Sequence, residues 1–244
     1  MNKNGFTLIE LSIVLIIISM VIGGIVGGRT LIHNAELNKV MTEVNNYKTS
    51  IMQFKDKYDY LPGDFPYAFD HWPSAGCTDV WVGSSTAGCN GDGNRQIFSF
   101  PGKEQLRAWQ HLNLAQFISQ SFTGELNGTD YTYNVNIPES SIKNSGYIIR
   151  YDATNTYGEL HNNIMFGAKS GPAFLWAPVF NSPDAHKIDK KLDNGVAFSG
   201  KIVSVDGYDG TATTTGCVDN GTTIPSNYDL SNMEIKCRMH FFID

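Results

Sequence analysis

Apolar residues open this chain as a nearly unbroken run and then thin to a stripe. From Phe6 to Gly28 the only charged residue is Glu10, and most other positions are Ile, Leu, Val, Met or Gly. Further on, Leu37, Val40, Met41, Val44, Tyr47, Ile51, Phe54 and Tyr58 recur at steps of three and four, with Lys39, Glu43, Lys48, Lys55 and Lys57 between them. That spacing predicts one face of an amphipathic helix. No proline interrupts it before Leu61-Pro62-Gly63-Asp64. One helix from about residue 6 to 58 follows, roughly 80 Å long at 1.5 Å per residue. Its first half, apolar all round, belongs in lipid or among other helices, and its second half on a domain. The apolar part, 6–28, reaches roughly 34 Å against a hydrocarbon core of about 30 Å, enough to span a bilayer once. A cleaved secretory signal fits less well, because the run is too long and no A-x-A site follows. Lys3 on the short side predicts a cytoplasmic N-terminus and an exported remainder.

The pattern then changes. Residues 59–101 are rich in Gly, Pro and Asp and read as a long loop with aromatic clusters. Helical spacing returns over Gly102–Phe122 (Leu106, Trp109, Leu112, Phe117, Ile118). Strand-like runs follow at Tyr131–Ile137, Tyr147–Tyr151, Ile164–Ala168 and Ala173–Phe180, and later at Lys201–Val205 and Met233–Ile243. Ser182-Pro183-Asp184 and Asn194-Gly195 bracket a short helix over 183–193. The stretch 207–232, rich in Gly, Thr and Asn, reads as a second long loop.

Composition sharpens this picture in three places. Charged residues make up 17% of the 244, against about 25% in a typical domain, and the deficit lies largely in the N-terminal run. With a net charge of −6 and five arginines, the chain lacks the electrostatic footprint of a nucleic-acid binder. Cys77, Cys89, Cys217 and Cys237 all lie beyond the membrane segment, and two disulfides are the simplest account. Three pairings are possible; the local one joins Cys77 to Cys89 and Cys217 to Cys237.

Candidate chemistry is sparse. The sequence has no G-x-S-x-G, H-E-x-x-H, Walker A or G-x-G-x-x-G motif. His33, His111 and His161 read as surface or hydrogen-bonded residues. Asn127 and Asn220 head Asn-Gly-Thr sequences that are first of all turn signals. Asn90, Asp92 and Asn94 place oxygen-bearing side chains at alternate positions between glycines, as calcium loops do. The bidentate glutamate of an EF-hand is missing, since its position is Pro101, and an ordinary turn competes with a calcium loop. Asp206-Gly-Tyr-Asp209 is a weaker candidate of the same kind. Glu10 stands out most, because an acid deep in a bilayer costs about 2.5–3.5 kcal/mol on insertion scales.

Lys3-Asn4-Gly5-Phe6-Thr7-Leu8-Ile9-Glu10-Leu11, followed by the apolar run, resembles the N-terminal signature of the type IV pilin and type II secretion pseudopilin superfamily. The resemblance covers roughly the first 30 residues. It implies an α+β, pilin-like fold: a long N-terminal helix packed on an antiparallel β-sheet head with long, disulfide-clipped loops. Residues 1–5 would be a leader, 6–28 the membrane and filament-core helix, 29–58 its amphipathic continuation and 59–244 the head. A prepilin peptidase would cleave between Gly5 and Phe6 and methylate Phe6. Glu10 would neutralise the N-terminal amine of a neighbouring subunit. Many family members have a proline within the apolar segment; here Gly23, Gly24, Gly27 and Gly28 stand instead, as a point of helix flexibility or of close packing. Leu61–Asp64, Asn90–Asn94, Trp109–Leu112 and Ile188–Gly195 look similar to segments of large prepilin-like proteins, without roles attached.

The expected function is a structural filament subunit, not an enzyme, with no cofactor beyond the calcium candidate. Its partners would be the peptidase, other pilin or pseudopilin subunits, the inner-membrane assembly machinery and lipid. It would reside first in the inner membrane, with the head periplasmic, and then in a pilus or pseudopilus. A type II secretion pseudopilin and a single-pass membrane-anchored binding protein or enzyme are the alternatives.

Overall fold

The computed structural model describes residues 7–73, 88–98, 104–126, 130–152, 161–172, 174–208, 210, 213, 215–219 and 226–243. The chain forms two compact units, Met1–Lys39 and Val40–Asp244, and helix α1 (Leu8–Tyr58) contributes to both. In the first unit the apolar side chains from Leu8 to Val26 are exposed on every side of the helix. Among the described residues α1 is the one helix long and apolar enough to cross a membrane. From Ser12 to Thr30 its hydroxyls are satisfied within the helix: Ser12 Oγ donates to the Ile9 carbonyl, Ser19 Oγ to Leu15 and Thr30 Oγ1 to Val26. Internal satisfaction of this kind is what a helix needs where no water is available.

In the second unit α1 behaves as the period-3.6 stripe predicts, burying Val40, Met41, Val44, Ile51 and Phe54. Around it are the one-turn α2 (Ala68–His71), α3 (Glu104–Leu114) and α4 (Ser182–Leu192). The strands are β1 (Ser145–Tyr151), β2 (Asn162–Ala168), β3 (Phe180–Asn181), β4 (Phe198–Ser199), β5 (Ile202–Asp206) and β6 (Ile235–Phe242). They form one antiparallel sheet in the order β1-β2-β6-β5-β4, with β3 also pairing β6. The register aligns Ile149, Ile164, Phe241 and Ile202 in one cross-strand row, and Tyr147, Phe166, Met239 and Ser204 in another. Tyr47 of α1 ties the layers together, its ring centroid lying 4.9 Å from Trp109 of α3 and 5.2 Å from Tyr147 of β1. The fold is the α+β, pilin-like arrangement expected.

Local pattern misjudged several elements. Tyr131–Ile137 is a turn, because Asn134 adopts φ 62° and the Asn136 side chain is taken up by the Thr132 N–H and by two carbonyls. Of the described residues of Ala173–Phe180 only Phe180 enters a strand; Ala177 makes one isolated bridge with Ala168, and Pro178 has no N–H to extend the ladder. The helix expected to reach Phe122 ends at Leu114, and Gln116 at φ 66° reverses the chain. Helix α4 is capped one residue earlier than expected, by Asn181, whose side chain accepts the Asp184 N–H at 2.8 Å.

Cys217 and Cys237 form a disulfide, joining the second long loop to β6. Cys89 is buried and disulfide-bonded, and Cys77 lies outside the described residues. The Ile188–Gly195 segment now has a structural role. Asp189 accepts the Gly195 N–H at 3.0 Å and the Tyr228 hydroxyl at 2.7 Å, and that hydroxyl is also 2.7 Å from Ser204 Oγ on β5. Asp193 accepts the Lys201 and Ile202 N–H groups and so closes the turn into β5.

Candidate functional site

At the start of α1, Thr7 and Glu10 satisfy each other's backbone. The Glu10 carboxylate accepts the Thr7 N–H at 2.9 Å and the Thr7 hydroxyl at 2.8 Å, while Thr7 Oγ1 accepts the Glu10 N–H at 3.3 Å. This is a reciprocal capping box, which takes up helix N–H groups that otherwise have no partner. Glu10, singled out from the sequence as a costly lone acid, thus has a partner within its own chain. Thr7 was overlooked there, although Thr-x-x-Glu ahead of an apolar run is the signal for this motif. Gly5 and Phe6 lie outside the described residues. Helix α1 runs without a break through Gly23, Gly24, Gly27 and Gly28, and a Cβ placed on any of them would meet nothing within 4 Å.

In the second unit, three segments far apart in sequence converge. Gly63 adopts φ 90°, and its N–H donates to His111 Nδ1 of α3 at 2.9 Å. His111 Nε2 in turn donates to the Cys89 carbonyl at 2.8 Å. These two bonds define a neutral imidazole with its proton on Nε2, and complete burial holds its pKa down at about 3. His111 is therefore hydrogen-bonded, one of the two roles expected of it.

Next to Gly63, the fully buried Asp64 accepts the Asn94 N–H at 2.9 Å and the Arg95 N–H at 2.8 Å, so one carboxylate folds the 93–95 turn. Glu104, at the first turn of α3, accepts the Asp92 N–H at 3.2 Å and the Phe98 N–H at 2.8 Å. Gly91 passes so close that a Cβ there would lie 2.2 Å from the Asp64 carbonyl carbon. Asp64, Asp92 and Glu104 each bring a carboxylate oxygen within 4.8 Å of the others, the one such group among the described residues. Burial pushes the Asp64 carboxyl up to about 7 and that of Glu104 up to about 8.

Of the calcium-loop candidates, Asp92 faces this cluster. The side-chain oxygens of Asn90 and Asn94 are engaged with backbone: Asn90 Oδ1 accepts the Phe69 N–H at 2.8 Å, and Asn94 Oδ1 accepts the Gln96 N–H at 2.7 Å while its amide donates to Asp92 at 2.8 Å. Any hard cation here would draw on Asp64, Asp92 and Glu104, oxygen donors of the kind calcium prefers. Asp64 and Glu104 were not recognised as its companions, because neither lies near Asp92 in any local motif. Asp206 accepts the Cys217 N–H at 2.8 Å and is thereby tied to the disulfide loop; Asp209 lies outside the described residues.

Residues 1–26 match the family model of the prokaryotic N-terminal methylation motif. No curated protein and no solved structure matches the chain. A capped, membrane-length helix beginning with Thr7 and Glu10, and joined to an antiparallel α+β head, thus carries the prokaryotic N-terminal methylation motif, the signature of type IV pilins and pseudopilins.

Proposed function

We propose that this protein is a structural subunit of a type IV pilus or a related filament, made as a membrane-anchored prepilin and polymerised through α1. The methylation motif at the head of an apolar helix is the observation that carries this reading. Cleavage between Gly5 and Phe6 by a prepilin peptidase would leave an amine next to the Thr7–Glu10 box. In the anchored chain Glu10 is held by Thr7; in the filament it would pair with the amine of a neighbouring subunit. Both ions are costly in an apolar core, and pairing lowers the cost of each. A type II secretion pseudopilin is the second reading, supported by the same motif. The periplasmic head, the inner-membrane assembly machinery and homotypic or heterotypic subunit partners belong to the proposal in either case.

Mass spectrometry of the N-terminus and a gene deletion together test it. The proposal expects a chain beginning at N-methylated Phe6, and loss of surface pili or of secreted proteins in the deletion strain. An unprocessed Met1 terminus in cells that hold an active prepilin peptidase would refute it. Scoring twitching, DNA uptake and secretion in parallel separates the pilus from the pseudopilus.

A further inference from the structure

We propose that the cleft between α1 and the segment following α3 binds an uncharged saccharide. The cleft is open to solvent and has a volume of about 450 Å³; none of its nine lining residues carries a charge, the Lys57 ammonium lying 5.7 Å from the centroid of the Phe117 ring. Its floor is apolar, made by Tyr47, Phe117 and Ile118, all half-buried and so partly open to a ligand. Its rim is exposed and polar but neutral: Asn46 from α1, with Ser119 and Gln120 from the facing segment. Ligand sites combine an apolar surface with a few placed polar groups in this way, and the volume falls within their usual range. Aromatic faces carry negative charge density and attract the polarised C–H groups of a sugar ring. Side-chain amides and hydroxyls supply both donors and acceptors, which matches a polyol better than an ion.

The floor is rigid before any ligand arrives. Ser50 Oγ donates to the Phe117 carbonyl at 3.1 Å, fixing this segment to α1. Phe117 N–H reaches back to the Leu112 carbonyl at 2.9 Å, and Asn113 Nδ2 donates to the Ile118 carbonyl at 3.3 Å. Tyr47 is held between Trp109 and Tyr147, and Phe117 packs against Phe54 at 6.3 Å. The rim, by contrast, has capacity to spare. Asn46 and Ser119 make no side-chain hydrogen bond among the described residues, and Gln120 uses only its amide nitrogen, toward Asn134 Oδ1 at 2.8 Å. A preformed apolar floor lowers the ordering cost of binding, and the unused rim groups can take ring hydroxyls in place of water.

The test is saturation-transfer NMR on the full chain in lipid nanodiscs, with glucose, galactose, N-acetylglucosamine, N-acetylgalactosamine and maltose as probes. The expected result is saturable transfer from at least one probe, at millimolar affinity. That affinity should weaken at least fivefold in the Asn46→Ala, Ser119→Ala double variant, a change of about 1 kcal/mol. Both residues are exposed, so an unchanged thermal midpoint shows that the variant is folded. No transfer from any probe, or transfer unaffected by the double variant, overturns the proposal. So does a double variant that fails to form filaments although the parent chain binds no sugar, which makes the cleft a contact between subunits.

Discussion

Glu43 on α1 accepts a hydrogen bond from the Tyr147 hydroxyl on β1 at 2.7 Å. The same carboxylate oxygen also takes the Ser140 hydroxyl at 3.1 Å and the Ser141 N–H at 3.3 Å. One acidic side chain thus fastens helix to sheet at a point where Tyr47, Trp109 and Tyr147 already pack ring to ring. Burial raises the Tyr147 phenol well above its ordinary pKa, so it stays a donor throughout the accessible pH range.

Removing that acceptor should be costly. Glu43→Ala leaves the buried Tyr147 and Ser140 hydroxyls only each other, 3.2 Å apart, in place of the carboxylate, and the expected loss is about 2 kcal/mol of stability. Tyr147→Phe should cost less, because the donor disappears together with its need. Chemical denaturation of the two variants gives the comparison, and equal losses would show that packing alone fastens α1 here.

The carboxylate cluster predicts a pH dependence. Asp64 titrates near 7 and Glu104 near 8 in the fold, whereas both titrate near 4 when unfolded. Between those values the native state holds the extra protons, so stability falls as pH rises from about 4 through 8. His111 acts in the opposite sense at the acid end: depressed to about 3 in the fold, it loses stability for the native state as pH falls below about 6.5. In metal-free buffer the thermal midpoint should therefore decline from pH 6.5 to 8.5. Asp64→Asn or Glu104→Gln should lower the midpoint overall, since each loses a backbone acceptor, but flatten its decline. Calorimetry across that range reads both effects, and an unchanged slope in both variants would contradict the assignment.

Gly91 should tolerate no side chain. The Cβ of Gly91→Ala would fall 2.2 Å from backbone atoms of Asp64, which cannot swing aside as a long side chain could. The expected cost is about 3 kcal/mol or more, enough to loosen the 90–98 turn. Limited proteolysis of the variant should show early cutting near this turn. Gly171→Ala, where the nearest contact is 3.9 Å away, should resist as well as the parent chain.

At the N-terminus, processing and assembly should separate. Gly5→Ala should leave an unshifted precursor band. Glu10→Val should be cleaved normally yet fail to assemble, or assemble out of register. Thr7→Val removes one side of the capping box and should fray the first turn of α1, at a cost of about 1 kcal/mol, while leaving Glu10 to pair between subunits. Immunoblots and electron microscopy of sheared filaments distinguish the three. Normal filaments from Glu10→Val would rule out the proposed role of the carboxylate.

Helix α1 was legible in the sequence because everything that makes it is local. Its apolar run and its three-and-four stripe are patterns of neighbouring turns, where periodicity is decided, and the Thr7–Glu10 cap, though missed, is equally local. Helix α4 was legible for the same reason, through Ser182-Pro183 and Asn194-Gly195. Strands were harder: β1, β2, β5 and β6 lie where alternation placed them, but 131–137 and 174–179 alternate as well and find no continuous ladder partner. A strand is defined by its neighbour, and the chain does not announce which segment that will be.

The carboxylate cluster shows where the division falls. Sequence alone placed oxygen-bearing side chains at 90, 92 and 94, a helix break at 61–64 and a helix over 102–122, of which the structure keeps 104–114. Only the tertiary structure decided that the buried Asp64 and Glu104 meet the exposed Asp92 and that His111 joins the three segments. The physical reason is that spacing along a chain controls contacts within a helical turn. Which distant carboxylates must share a low-dielectric interior is set by how the whole core closes around them.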